Sequence, residues 1–138
     1  MITIKKKEIV KLEDVLHLYQ AVGWTNYTHQ PEMLEQALSH SLVIYLALDG
    51  DAVVGLIRLV GDGFSSVFVQ DLIVLSSYQR QGIGSSLMKQ ALKDYKDTYQ
   101  VQLVTDQTER TLGFYRSMGF EILSTYNCIG MTWTNREK

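Results

Sequence analysis

The run Gln79-Arg80-Gln81-Gly82-Ile83-Gly84 is the stretch of this chain best suited to chemistry. It lies between an apolar, β-branched segment, Val67 to Leu75, and a segment with helical spacing, Ser85 to Tyr95. A strand that feeds a glycine-rich turn and then a helix makes an anion site. The first turn of a helix leaves backbone N–H groups without intrahelical partners, and the helix dipole adds partial positive charge there. Two glycines let the backbone come close to the anion, because no Cβ stands in the way. The expected guest is a phosphate or pyrophosphate. Arg80 either adds a charge-assisted contact to it or stays a solvated loop arginine. Two common phosphate motifs fit poorly. No lysine follows Gly84, as a nucleoside-triphosphate loop requires, and Leu87 stands where a dinucleotide fingerprint needs its third glycine.

Other reactive side chains are sparse. His17, His29 and His40 have no metal-ligand spacing, and the single cysteine, Cys128, cannot complete a thiolate site, so no metal is expected. Cys128 lies in an apolar, strand-like stretch and is expected to be a buried structural thiol rather than a nucleophile. A lone cysteine forms no internal disulfide, which suits a reducing compartment. Asp71 is different: it is a carboxylate inside an apolar strand, and such a group needs a partner or a purpose.

Elements must hold these groups in place. Ile2 to Val10 has the pattern of a strand, and Leu12 to Val22 that of an amphipathic helix stopped by Gly23. A polar-aromatic loop, Trp24 to Gln30, leads to Pro31, which suits the first turn of a second helix. Ser41 to Leu48, Ala52 to Val60 and Phe64 to Leu75 are expected strands joined by Asp49-Gly50-Asp51 and Gly61-Asp62-Gly63. The glycine-rich turn and its helix follow. Then come a short strand, Val101 to Thr105, a helix, Thr108 to Ser117, closed by Gly119, and two last strands, Phe120 to Thr125 and Cys128 to Thr134. The tight turns imply antiparallel pairs and the strand–helix–strand unit one parallel pair. The expected fold is α/β, with a mixed, mostly antiparallel sheet of six to seven strands and helices on both faces.

With 138 residues the chain is expected to be one domain, residues 1–138, without repeat or linker. Hydrophobic residues at 46% and charged residues at 20% suit a globular protein. A net charge of -2 argues against a general nucleic-acid binder. Lysines occupy the place of a signal-peptide core in Met1 to Lys7, and no apolar run reaches membrane-spanning length, so a soluble, cytoplasmic protein is expected.

Two motifs together resemble the GNAT superfamily of acetyl-CoA-dependent N-acetyltransferases. Val74 followed by Gln79-Arg80-Gln81-Gly82-Ile83-Gly84 is similar to the family's Gln/Arg-x-x-Gly-x-Gly/Ala signature. Gly113-Phe114-Tyr115-Arg116-Ser117-Met118-Gly119-Phe120 is similar to its late helix with a Tyr-x-x-x-Gly-Phe ending. The resemblance runs from end to end. Val22-Gly23-Trp24, Gly61-Asp62-Gly63 and Asp71-Leu72-Ile73-Val74 look like the small bacterial and plastid branch that includes serotonin and arylalkylamine acetyltransferases.

The resemblance implies acetyl-CoA as cofactor. Backbone N–H groups of Gln79, Arg80, Gln81, Gly82, Ile83, Gly84 and Ser85 would hold the pyrophosphate. The backbone of Leu72, Ile73 and Val74 would pair with the pantetheine arm, and an N–H there would polarise the thioester carbonyl. Tyr115 would be the general acid for the departing thiolate, since a phenol's ordinary pKa of about 10 is close to that of an alkyl thiol. Its alternative is a ring packed beneath the cofactor. Asp71 is the first candidate for a base, or else is paired with an arginine or backbone amides. Asp106 is a second. Trp24, Tyr27 and His29 lie in the loop that would cover the acceptor, as an aromatic wall or a cation–π surface, although Trp24 could equally anchor the loop to the core. Ser76, Thr108 and Thr111 depart from the family's usual proline, asparagine and alanine. They leave the pyrophosphate site intact.

The expected activity is acetyl transfer to a primary amine of a small molecule by direct attack in a ternary complex. Alternatives are a protein or peptide acceptor, or a silent acyl-CoA-binding sensor. No nucleic-acid or membrane partner is expected, and the last strand, Cys128 to Trp133, could contribute to a homodimer edge.

Overall fold

The computed structural model describes residues 1–134. The chain divides into two compact units, Met1–Leu103 and Val104–Lys138.

The first unit runs β1 (Ile2–Lys7), α1 (Leu12–Ala21), α2 (Thr25–Thr28), α3 (Pro31–Ser39), β2 (Val43–Asp49), β3 (Ala52–Gly61), β4 (Ser66–Val74), a 3-10 turn (Ser76–Tyr78), α4 (Ile83–Asp94) and β5 (Gln100–Leu103). The sheet order is β1-β2-β3-β4-β5. The first three pairings are antiparallel, and β4 pairs with β5 in parallel. Hairpin turns enforce the antiparallel pairs, whereas α4 supplies the crossover that a parallel pair needs. The β3–β4 turn is organised by Asp62, whose Oδ1 accepts from the backbone N–H of Phe64 and Ser65 at 2.7 Å each. The Ser65 hydroxyl and these amides hold the Asp62 carboxyl well below the usual carboxylate range.

Alternation along the strands sends side chains to opposite faces. Ile44 and Leu46 of β2, Leu56 of β3 and Ile73 of β4 cluster with Val15, Leu18 and Tyr19 of α1, Tyr27 of α2, and Leu34 and Leu38 of α3. The other face takes α4, through Ile83, Leu87, Met88 and Ala91. There α4 lies close enough that a Cβ on Gly55 would come within 3.5 Å of Leu87, and it would also meet the Ile73 carbonyl of neighbouring β4 at 2.9 Å. Helices therefore cover both faces, as expected from the sequence.

One irregularity matters for the site. Arg58 pairs with Asp71, but the next pair is Leu59 with Val69, so Gln70 is an extra residue in β4. This is a β-bulge, which bends its strand and breaks the ladder. β5 pairs with β4 only from Ser66 to Val69. Beyond the bulge, Asp71 to Val74 has β3 on one side and no strand on the other among the described residues.

In the second unit α5 spans Glu109–Ser117, and Thr108 caps it by accepting from the Thr111 N–H at 3.2 Å. A 3-10 turn covers Leu123–Tyr126. The described residues hold no strand in this unit. Among the described residues the sheet therefore has five strands, not the six to seven expected from the sequence. Phe120 to Thr125 is taken up by the helix stop and the 3-10 turn, with Asn127 in the left-handed region at φ 59°. Cys128 to Thr134 has strand-like alternation, but a strand requires a hydrogen-bonded neighbour, and the described residues of its own unit supply none. For the same reason Cys128 is exposed rather than buried.

Candidate cofactor and acceptor site

The glycine-rich turn is built as its sequence suggests. After the 3-10 turn, Gln79 is extended and its side-chain Nε2 donates to the Val74 carbonyl at 3.2 Å, folding the turn back on the end of β4. Arg80 adopts φ 65° and Gly82 φ 78°. The left-handed conformation costs a non-glycine residue on the order of 1–2 kcal/mol, so Arg80 stores strain in the turn. Gly82 is the helix N-cap and no side chain caps the helix. The first bond of this helix made by the N-cap carbonyl is Ser86 N–H to Gly82 O at 2.9 Å. The N–H groups of Ile83, Gly84 and Ser85 thus precede the first α-helical donor. A Cβ built at Gly82 would meet nothing within 4 Å, so the space above the turn is open. Gln79, Arg80, Gln81 and Gly82 are exposed, while the Ile83 side chain is buried and anchors the helix start. Open space, free amides and a twelve-residue helix dipole are a donor set that fits a pyrophosphate.

The strand leading into this turn contributes its free edge. Leu75 N–H donates to the Val54 carbonyl of β3 at 2.9 Å. Backbone groups alternate along a strand, so Ile73 also faces β3 while Leu72 and Val74 turn theirs to the side that β5 does not pair. Of the three residues expected to pair with a pantetheine arm, Leu72 and Val74 offer the required groups. Ile73 is 1% exposed and serves the core.

Asp71 is the centre of a buried polar network. Its Oδ2 accepts from Arg58 Nε at 2.7 Å and from the Tyr19 hydroxyl at 2.8 Å, and its Oδ1 accepts from the Tyr27 hydroxyl at 3.1 Å. Arg58 also donates from Nη2 to Tyr27 at 3.1 Å and from Nη1 to the Ser41 hydroxyl at 3.2 Å. The Arg58 and Asp71 side chains are 5% and 2% exposed. Burial opposes the charge on Arg58, but Asp71 and the two phenols outweigh it and the guanidinium pKa is raised. Burial, then the Asp71 charge, pushes the Tyr19 phenol up. Of the two roles open to Asp71, pairing with an arginine is the one the geometry displays.

The network reaches the Trp24 to Gln30 loop. Tyr27 belongs to α2 and is buried; its ring meets Tyr19 edge-on at 5.1 Å, and Trp24 lies 6.1 Å from Tyr19 and 6.3 Å from Tyr27. Trp24 is half-buried against the core cluster. Gln70 donates to the Tyr27 hydroxyl at 3.4 Å, connecting the bulge to this loop. His29 is exposed at the end of α2.

In the second unit the Tyr-x-x-x-Gly-Phe ending acquires a physical meaning. Gly119, at φ 97°, stands just past the helix; its N–H donates to Arg116 O and the Phe120 N–H to Tyr115 O, both at 3.0 Å. This is a Schellman stop, which brings the third-last residue against the second residue after the cap. Those residues are Tyr115 and Phe120, whose rings meet edge-on at 5.9 Å, with Phe114 at 5.1 Å on Tyr115's other flank. Burial, then the charge of exposed Asp106, raises the Tyr115 phenol above its ordinary value.

Of the side chains in the network around Asp71, Tyr19, Ser41, Arg58 and Gln70 were not foreseen as site residues in the sequence. Arg58 carried a usable signal: it and Asp71 are opposite charges in the middle of adjacent apolar strands. Gln70 carried none, because a bulge is a property of pairing. Among the described residues no group of three or more His, Cys, Asp or Glu is placed to hold a metal.

The acetyltransferase (GNAT) domain family model matches residues 40–122, and the chain belongs to this family. It is 83% identical to the GNAT-family acetyltransferase SP0256 from Streptococcus pneumoniae TIGR4, with a TM-score of 0.91 over 99% of both chains. A second solved structure, SA2161 from meticillin-resistant Staphylococcus aureus, is 27% identical, with a TM-score of 0.81 over 98% of this chain and 100% of that one. Among curated proteins, serotonin N-acetyltransferase 2, chloroplastic, of Oryza sativa subsp. japonica is 32% identical over 66% of this chain and 48% of its own length. The chain thus spans about half the length of the curated relatives it matches first.

Proposed function

We propose that this protein transfers the acetyl group of acetyl-CoA to a primary amine of a small molecule, by direct attack in a ternary complex. The observation that carries the proposal is the open turn at the start of α4, with free N–H groups and no Cβ at Gly82, placed directly after a strand whose Leu72 and Val74 backbone faces an unpaired side. Acetyl-CoA supplies the activated thioester. Gly82 to Ser85 hold its pyrophosphate, with Arg80 exposed beside them. The outward N–H groups of Leu72 and Val74 are the donors available to a thioester carbonyl as negative charge grows on its oxygen.

Tyr115 is the proton donor to the departing thiolate. A phenol carries its proton at neutral pH, burial raises its pKa further, and its ring meets Phe114 and Phe120 edge-on. Asp71 works differently from a free base. Both of its oxygens are occupied by Arg58 and two phenols, which leaves neither turned toward an incoming amine. We assign it the role of positioning residue for Tyr27 and the acceptor loop. Trp24 and Tyr27 supply aromatic surface to that loop, consistent with a small amine, and Asp106 tunes Tyr115. The homodimer expected from the sequence is retained as the working unit, on the exposed apolar segment at the C-terminal end.

The test is release of free thiol from acetyl-CoA with a panel of arylalkylamines, polyamines and basic peptides. Small amines should give turnover and peptides none. Turnover on peptides alone would overturn the acceptor class, and no turnover on any would favour a silent binding role.

A further inference from the structure

Gln70 is the one residue of β4 that pairs with neither neighbour among the described residues: β3 takes Val67 to Val69 and Asp71 to Val74, and β5 takes Ser66 to Val69. Strict alternation along a strand would send Gln70 to the face opposite Asp71. Instead both side chains reach the same group. The Tyr27 hydroxyl donates to Asp71 Oδ1 at 3.1 Å and accepts from Gln70 Nε2 at 3.4 Å. The bulge therefore re-aims Gln70 toward α2, as bulges do beside active sites. All of these residues belong to the first unit.

The network also fixes which end of the amide is free. A phenol hydroxyl has one proton and two lone pairs. The Tyr27 proton goes to Asp71 Oδ1, because Arg58 can only donate, and Arg58 Nη2 takes one lone pair at 3.1 Å. What remains on the hydroxyl can receive a donor and nothing else. Gln70 must therefore turn its NH2 to Tyr27, and its Oε1 meets no donor among the described residues of its own unit. A neutral acceptor held in this way is complementary to an N–H. It suits an attacking amine better than a carboxylate would, because an opposite charge beside the amine favours its protonated, unreactive form.

We propose that Gln70 orients the acceptor amine: Oε1 accepts one amine N–H, and the nitrogen lone pair is left to attack the thioester carbon. The proposal rests on the small-amine reading above and names a residue that selects the acceptor. Gln70 stands two residues before Leu72, about 7 Å along the strand, and the outward N–H of Leu72 is a donor available to the thioester oxygen. A glutamine side chain and one bound amine span that distance. Asp71 and Arg58 then act on the amine through Tyr27 and Gln70, without touching it.

The test compares Gln70→Met and Gln70→Glu with the natural protein, on 2-phenylethylamine and on spermidine. Gln70→Met keeps the length of the side chain and removes the amide. It should lower kcat/KM for the amine by at least about fivefold, the worth of one hydrogen bond. The acetyl-CoA dissociation constant from calorimetry and the unfolding midpoint should stay near their natural values. Gln70→Glu puts a negative charge at the amine and raises the amine's pKa, so the acidic limb of kcat should move to higher pH. A merely structural role for Gln70 would leave that limb in place. Natural kcat/KM in Gln70→Met, or an unmoved limb in Gln70→Glu, would overturn the assignment while leaving acetyl transfer standing. A loss that falls on acetyl-CoA binding instead would overturn it as well, and place Gln70 with the cofactor. No turnover of either amine by the natural protein, with acetyl-CoA still bound, would overturn the small-amine reading and this assignment with it.

Discussion

Tyr115 owes its place to a helix stop. The Gly119-Phe120 pair ends α5 in a Schellman turn, and that turn sets the Phe120 ring edge-on against Tyr115. The spacing of the motif is therefore the spacing of a helix terminus, and the phenol inherits a fixed position. Burial and Asp106 raise its pKa, so the protonated form persists to higher pH than a free phenol would allow. Tyr115→Phe is expected to lower kcat by about 10²–10⁴-fold while changing acetyl-CoA affinity less than threefold, read by steady-state kinetics and calorimetry. In the natural protein, the alkaline fall in kcat assigned to Tyr115 should lie above the ordinary phenol value of about 10. Full turnover in the phenylalanine variant would remove Tyr115 from proton transfer.

At the level of elements, the Arg58–Asp71 pair joins β3 and β4 and, through Tyr19 and Tyr27, ties α1 and α2 to the sheet. Breaking a buried pair from one side leaves the other charge without compensation, at about 3–5 kcal/mol. Asp71→Asn should lose stability of that order in denaturant unfolding and weaken acceptor binding, because Tyr27 loses its acceptor. The acidic limb of kcat/KM against pH should stay where it is. Loss of that limb with little loss of stability would return Asp71 to the role of base.

Element order from β1 through β5 was legible in the sequence because each tight turn and each apolar period is local. The glycine-rich turn was legible for the same reason. Cys128 to Thr134 was not: its alternation is that of a strand, but pairing depends on a neighbour that no local pattern specifies. The Trp24 to Gln30 loop hid the short helix α2, whose four residues are too few to show a period. Gln70 sits at a bulge that only the register of β3 and β4 reveals, and Asp71's role depended on whether Arg58 would face it.

For the whole molecule, family membership and the open turn converge on one requirement: the protein must bind coenzyme A before any acetyl transfer can follow. Selective binding to the native state raises its stability in proportion to the logarithm of ligand concentration. Titration calorimetry of the full chain with acetyl-CoA, beside Gly82→Val, tests this most directly. A valine at Gly82 must adopt φ 78° and places its side chain in the open space above the turn. Saturable binding to the natural protein is expected, with at least a tenfold loss, roughly 1.4 kcal/mol or more, in a folded Gly82→Val variant. No binding to the natural protein, or equal binding to both, would contradict it.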